Sequence, residues 1–537
     1  MSGTNNDDKK ASLLANDHLQ NKTSVVDNSR TLDSILEEGD PSLPTNKKGE
    51  DDKTEQTAND SDENGEYEYD YKAISYAAAS CTFADMSYSM LVSFFPTVAK
   101  DRGLDSIQIG ILFASFQFAN FFTCFFAPKV NQKFGGIMVL QAANTGQAIV
   151  AALFAFTSLL HESHAFFWTF LLLRVSEGFL AALAEVAASG IAVRSVPKDK
   201  ATEAVAEVAS YRILGEVIGP LAGGAFYGWI GYSGPYIFAA SCFGILATIM
   251  FVWRLDPSLD NKSDGKDDDS HSVPYKFIKL PMVLTMCVAF MYLSSAFAFL
   301  EPTLQPFLAK APYSCSHLTV GAIYLTAVTS FAIVTGSLGY WLRDKLGISL
   351  LIRIGLFLIP LAYFIMAPAP HFEDPLTINA FLYQSRQFPA IVLIVVGLSL
   401  MWLGGGLMFI PVNEFMIKEA EYHGMSIEHV SDAVGVATNM SFTLGAGIGP
   451  LIGGILNHSL SFPKANILYA YLLLPLCAAI MTAMHLITSG RPGPEDQDNI
   501  NETSVPSGAD ETGEKIESND ISTAPSQISR TADSSQP

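Results

Sequence analysis

Twelve apolar stretches, each long enough to cross a bilayer, run through this chain of 537 residues. A spanning helix needs roughly 20 apolar residues. Stretches of that kind lie at 73–98, 107–130, 137–159, 165–194, 205–229 and 235–254, then at 279–308, 318–342, 350–368, 389–416, 431–457 and 465–488. Within hydrocarbon every backbone amide must find its partner inside the chain, so each stretch is expected to be a helix. Hydrophobic residues make up 49% of the chain and charged residues 16%, even with two very polar ends included. The expected fold is all-α, with twelve transmembrane helices.

Residues 1–72 hold 18 acidic and 8 basic side chains, and residues 489–537 hold 10 and 3. These ends account for −17 of the formal −21 charge, so the membrane body is near −4 and the net charge says little about a transport path. Both are expected to be disordered acidic tails, because they have too little apolar surface to form a core. Their role would be to bind sorting or regulatory proteins; SLLAN near residue 12 and DSIL at 33–36 faintly resemble sorting signals. The start lacks a charged region followed by a short apolar run, so no cleavable leader is expected. A third polar stretch, 255–277 with SDGKDDDS, divides the body into six helices at 73–254 and six at 278–488.

A ten-residue pattern links the two sets. Residues 215–224 read GEVIGPLAGG and 445–454 read GAGIGPLIGG, both fitting G-x3-G-P-x2-G-G at a separation of 230. The copies comprise Gly215, Gly219, Pro220, Gly223 and Gly224, and Gly445, Gly449, Pro450, Gly453 and Gly454. Small residues along a membrane helix let two backbones approach closely, and a proline there bends the helix. The repeat implies two pseudo-symmetric six-helix bundles, a plan common among secondary transporters. The blocks are expected to act as matched pivots.

Lys and Arg in loops favour the cytoplasmic side. With both ends cytoplasmic, the inner loops hold twelve such residues, among them Lys129, Lys133, Lys198, Lys200, Arg343, Lys345 and Lys418. The outer loops hold Lys100, Arg102, Lys310, Arg386 and Lys464. The six cysteines are scattered and suggest no disulfide framework or metal set. HESH at 161–164 lacks the two-histidine spacing of a zinc helix and reads as a loop. No G-x4-G-K-[ST] phosphate loop is present, so ATP is not expected to drive the cycle, and no cofactor, metal or nucleic acid is expected.

Twelve spans arranged six plus six around a polar loop resemble the major facilitator superfamily, and GEVIGPLAGG resembles its antiporter motif. FLEPTL at 299–304, IGILFAS at 109–115 and the second Gly-Pro block together resemble the vesicular amine transporters, solute carrier family 18. The short loop after helix 1 and the stretch LPMVLTMCVAFMYLSSAFAFLEPTL at 280–304 are most similar to the vesicular polyamine branch. The resemblance covers roughly 75–490. It implies the major facilitator fold, a central cavity lined by helices 1, 4, 7 and 10, and no enzymatic activity.

The chain departs from that pattern in places. In APKVNQKFGG, Pro128 and Gln132 stand where the family has Gly and Asp, while Lys133 and Gly135 remain. In GYWLRDKLG, Asp344 and Lys345 are retained as a conformational motif. The monoamine branch has a helix 2 Lys where Phe116 stands, and acids where Gly406 and Asn439 stand. Its charge network is therefore not reproduced, which argues against monoamine substrates.

Ionisable groups inside the membrane cost roughly 2.5–3.5 kcal/mol on insertion scales, and function is the default hypothesis for them. Glu301 has no basic residue within four positions. A carboxyl removed from water favours its neutral form, which suits proton exchange; the resemblance also places Glu301 in the transport path. The competing reading is a Glu at a helix-breaking proline near the aqueous end. Asp85 lies near the amine-binding Asp of the monoamine branch and is expected to be free for a cation or proton. Arg174 and Glu177 are spaced as an intrahelical pair, and Arg174 matches a superfamily arginine linked to proton coupling. Glu185 shares the Glu177 face with no nearby base. Glu216 follows Arg212 by four and is expected to pair with it. Glu414 falls on Glu185 when shifted by 229, with Lys418 one turn away. Tyr292, Phe297, Phe299, Trp402 and Phe331, the last standing where the monoamine branch has a Tyr, are candidates for stacking on an ammonium. The bland alternative throughout is helix packing, lipid contact or a structural ion pair.

The expectation is a proton-coupled antiporter that moves a small cationic amine into an acidic organelle, with substrate and protons exchanging on Asp85, Glu185 and Glu301. A drug or organic-cation exporter at the cell surface fits the antiporter motif equally. A non-transporting sensor or scaffold is the alternative of another class, and the intramembrane carboxylates argue against it.

Overall fold

The computed structural model describes residues 70–197, 200–260, 273–310, 313–367, 390–425 and 427–489. The expected tails, most of the central loop and the loop carrying Arg386 lie outside the described residues. Every regular element described is helical. The described residues contain twelve long helices: α1 (Tyr71–Ser89), α2 (Ser106–Cys124), α3 (Gly136–Phe156), α4 (Ser163–Arg194), α5 (Ala201–Ile230), α6 (Ser233–Val252), α7 (Pro281–Phe299), α8 (His317–Ile333), α9 (Ile348–Met366), α10 (Ala390–Tyr422), α11 (Ile427–Ser459) and α12 (Phe462–Ser489).

Among the described residues, ten of these are long and apolar enough to cross a membrane. The other two are α1 and α4. Their positions match expectation, but Asp85 with its Ser and Thr neighbours lowers the hydropathy of α1, and Arg174, Glu177 and Glu185 lower that of α4. These are the helices that carry much of the polar chemistry described below.

Four expected helices are interrupted. The stretch 107–130 is helical to Cys124, turns at 125–126 and resumes as a short helix at Ala127–Phe134. The stretch 73–98 is helical only to Ser89, then passes through a 3-10 turn at Met90–Ser93 into a short helix, Phe95–Asp101, with Pro96 in its first turn. The stretch 279–308 is helical to Phe299, breaks at 300–303 and resumes at Leu304–Leu308. Pro302 cannot donate to the ladder, which accounts for the break at 300–303. Before its break each helix runs 19 residues, so α1 and α7 are matched. The stretch 318–342 changes at Val334–Leu338 into a π-type turn with Gly336 at φ −82°, ψ −148°.

The tight turns before α3 and α9 also match. Gly135 and Gly347 have φ of +90° and +77°, and each serves as the N-cap of the helix that follows. L side chains are strained in that region, so glycine is required there. This accounts for Gly135 in a loop where Pro128 and Gln132 depart from the family pattern.

The two Gly-Pro blocks join the halves by one rule. The first three glycines of each seat a neighbouring helix of the same half. A Cβ on Gly215, Gly219 or Gly223 would collide with Thr82, Ser89 or Met90 of the first-helix segment. A Cβ on Gly445, Gly449 or Gly453 would collide with Met291 and Ser294, with Ser295, or with Phe299. The fourth glycine and the proline carbonyl face the other half. Gly224 abuts the His317 carbonyl of α8, and Gly321 of α8 abuts the Pro220 carbonyl. Gly454 abuts the Ser106 carbonyl at the start of α2, and Gly110 of α2 abuts the Pro450 carbonyl. The main packing between halves is accordingly α2 on α11 and α5 on α8.

At the end where α1 and α7 break, hydrogen bonds also join the halves. The Thr97 backbone amide and hydroxyl both donate to Gln305 Oε1, at 2.9 and 2.5 Å. His317 Nδ1 lies 3.2 Å from the Ser93 carbonyl.

Candidate functional site

The sequence gathers acids on three helices whose faces then converge. Asp85 and Tyr88 are three apart on α1, and Glu177 and Glu185 are eight apart on α4, so each pair shares a helix face. Packing of α1 against α4 and α5 brings these faces together.

One group is deeply buried. Arg174 is fully buried and bonds Glu177 at 2.7 Å. The second Glu177 oxygen accepts from the Ser87 hydroxyl at 2.7 Å. The Arg174 guanidinium lies 5.0 Å from the Tyr88 ring and 4.8 Å from the Phe116 ring. Beyond it, the Tyr88 hydroxyl donates to Glu301 Oε2 at 2.6 Å. Arg174, Tyr88 and Glu301 thereby form a chain from α4 through α1 to the break after α7, crossing from one half to the other. The intrahelical Arg174–Glu177 pair is as expected. Glu301 lies in that break beside Pro302, and it has a hydroxyl partner in place of a base.

The second group lines a small crevice formed by Cys81, Ala84, Asp85, Phe116, Asn120, Ala181, Ala184, Glu185 and Arg212. Arg212 Nε donates to Asp85 at 2.9 Å, and Nη1 makes an ion pair with Glu185. Asn120 Nδ2 donates to the other Glu185 oxygen at 3.3 Å. Two expectations are corrected here. Asp85 is not free and Glu185 is not without a base; Arg212 reaches both from α5. The expected Arg212–Glu216 pair is replaced by these bonds, because tertiary packing brings two carboxylates to the guanidinium. Glu216 still interacts electrostatically with Arg212, Asp85 and Glu301, members of both groups.

Other candidates lie apart from these groups. Glu414 bonds Lys418 at 2.9 Å, as its spacing suggested, and also Arg343 at 3.2 Å. Arg343 also bonds Asp344, and the Lys345 ammonium sits 4.9 Å over the Trp341 ring. Asn439 Nδ2 faces Cys124 Sγ across the α2–α11 seam at 3.9 Å. Phe331 is buried with its ring at right angles to Trp402 and centroids 5.9 Å apart, while Phe297 stacks on Trp402 at 4.2 Å. Phe299 stacks on Tyr469, and the Tyr292 hydroxyl donates to the Leu356 carbonyl. Phe297, Phe299 and Phe331 thus pack against other aromatic rings, and the Tyr292 hydroxyl is taken by a backbone carbonyl.

Tyr88, Ser87, Asn120 and the role of Arg212 were missed from the sequence. Tyr88 had a readable signal, since it sits one turn from Asp85 on the same face. The others have none outside the tertiary fold.

Among the described residues, twelve long helices in two matched sets, with charged groups buried among them, define a multi-pass membrane transporter. The chain belongs to the Major Facilitator Superfamily, whose family model matches residues 77–437. It is similar to the MFS-type transporter SLC18B1 of Mus musculus, with 27% identity over 71% of this chain and 79% of that protein. The synaptic vesicular amine transporter of Homo sapiens is 23% identical over 70% of this chain and 66% of that protein. The multi-drug resistance efflux pump PmrA homolog of Lactococcus lactis is 21% identical over 72% and 88%. Among solved structures, a bacterial homolog to the human lysosomal transporter Spinster, inward-facing and occupied, superposes with a TM-score of 0.59 at 14% identity, over 79% of this chain and 99% of that one. The nucleoside transporter NupG superposes at 0.58 and 15%, over 76% and 99%. These relatives are transporters and not enzymes.

Proposed function

We propose that this protein is a proton-coupled antiporter that loads a cationic amine, a polyamine in particular, into an acidic vesicle by alternating access. The observation that carries the reading is the gathering of Asp85, Glu177, Glu185, Glu216 and Glu301 around two guanidinium groups, Arg174 and Arg212. Acids in excess of fixed cations suit a mobile cation or protons. Similarity to SLC18B1 and to the vesicular amine transporter supports the amine, and similarity to an efflux pump supports an organic-cation exporter as the second reading. In the cycle, protons from the acidic side displace the amine from the carboxylates, and the released carboxylates then take amine from the other side. Both termini face the cytosol in this reading.

Reconstitution into proteoliposomes tests it. An acid-inside gradient should drive spermidine uptake, and dissipating the gradient should abolish it. Glu301→Gln should lose gradient-driven uptake at least tenfold. If no amine accumulates but drug-like organic cations do, the exporter reading replaces this one. If neither class moves, the transport cycle proposed here is wrong.

A further inference from the structure

Arg212 is the one member of the crevice whose charge cannot change. A guanidinium is not deprotonated in proteins, so it takes no part in proton exchange. Yet it is bonded to Asp85 and Glu185, the carboxylates that the proposed cycle needs. Its side chain is 31% exposed and that of Asp85 is 27%, against 0% for Arg174, so this pair can be reached and rearranged. The charged groups around Arg212 are Asp85 from α1, Glu185 from α4, and Glu216 one turn on along α5; Cys81 and Cys124 are the nearby thiols. Ala84, Ala181 and Ala184 wall the crevice beside the carboxylates with short side chains.

We propose that Arg212 is a tethered competitor for the substrate: it occupies Asp85 and Glu185 when no amine is present, and it sets how many positive charges the site selects. This inference rests on the amine-transport reading above. An incoming ammonium must share or displace the guanidinium. With Arg212 present, the Asp85–Glu185 pair presents one net negative charge, and with Arg212 neutralised it presents two. The tether also gives the site a counter-charge once its protons have left, so the carboxylates are not left bare before the next amine binds.

The experiment is competition and uptake with putrescine, spermidine and spermine, which carry increasing charge on similar chains. Arg212→Gln should lower the KM for spermidine and also lower kcat, because release loses its competitor. It should raise the preference for spermine over putrescine at least tenfold. Asp85→Asn should shift the preference the opposite way. The double variant Asp85→Asn/Arg212→Gln restores the charge balance and should return the preference toward wild type; it also serves if the single Arg212 variant does not fold. Arg212→Lys should keep the wild-type preference. A merely structural ion pair would change protein yield and thermal stability and leave the charge preference of the folded fraction unaltered. That result, with wild type active on amines, overturns the tethered-competitor role alone. Wild type inactive on every amine overturns the amine reading and this inference together.

Discussion

Tyr88 and Glu301 belong to opposite halves of the protein, and a hydrogen bond of 2.6 Å joins them. It lies where α1 and α7 approach their matched breaks, at the end also tied by Thr97 to Gln305. The residue proposed to exchange protons is thus also a contact that holds one end together. Protonation or substrate binding at Glu301 would act directly on that contact.

Tyr88→Phe removes the donor. A hydrogen bond contributes about 0.5–1.5 kcal/mol net, so separation of the halves at this end should become roughly two- to tenfold easier. Amide hydrogen exchange should rise in Met90–Asp101 and Leu304–Leu308 and stay level in α3 and α6. Unchanged exchange in those segments would show that the bond does not hold the end closed.

The glycines that face across the halves should be intolerant of a methyl group. Gly110→Ala, Gly224→Ala, Gly321→Ala and Gly454→Ala each place a Cβ against a backbone carbonyl of the other half. Overpacking of this kind costs about 1–3 kcal/mol. Transport should fall severalfold to a hundredfold in each. Gly228→Ala, on the same helix as Gly224 but with open space around it, should transport as wild type does. Equal effects at Gly228 and Gly224 would sink the packing argument.

Arg174 and Glu177 should be far more sensitive singly than together. Removing one partner of a buried pair costs about 3–5 kcal/mol because the other charge is left unpaired. Arg174→Met or Glu177→Met should therefore lower thermal stability sharply. The double variant should recover much of the loss, as read from a double-mutant cycle in detergent. Additive losses would mean that the pair is not the unit.

Glu414 makes the opposite case. Its side chain is 28% exposed and bonded to a Lys418 that is 58% exposed. Exposed pairs contribute about 0–1 kcal/mol, so Glu414→Gln should lower stability by no more than that. The difference should vanish in high salt. A large, salt-independent loss would show that Glu414 is part of the buried machinery after all.

The positions of the twelve helices were readable from the residues, because a bilayer demands about 20 apolar residues per crossing and imposes that length locally. The repeat of Gly215–Gly224 at Gly445–Gly454 announced two similar halves for an equally local reason, since small residues at fixed spacing mark where backbones touch. Which backbone each glycine touches was not readable. Gly223 and Gly224 are neighbours in the chain, yet one seats the first helix segment of its own half and the other seats α8 of the opposite half. The partner of Arg212 escaped for the same kind of reason. Spacing along α5 favoured Glu216, but a long side chain bonds whatever acids the fold delivers, and packing of α1 and α4 delivers Asp85 and Glu185. Chain-local rules reach about one helical turn. The charge network is assembled from residues up to 213 positions apart, and only the packing of helices decides it.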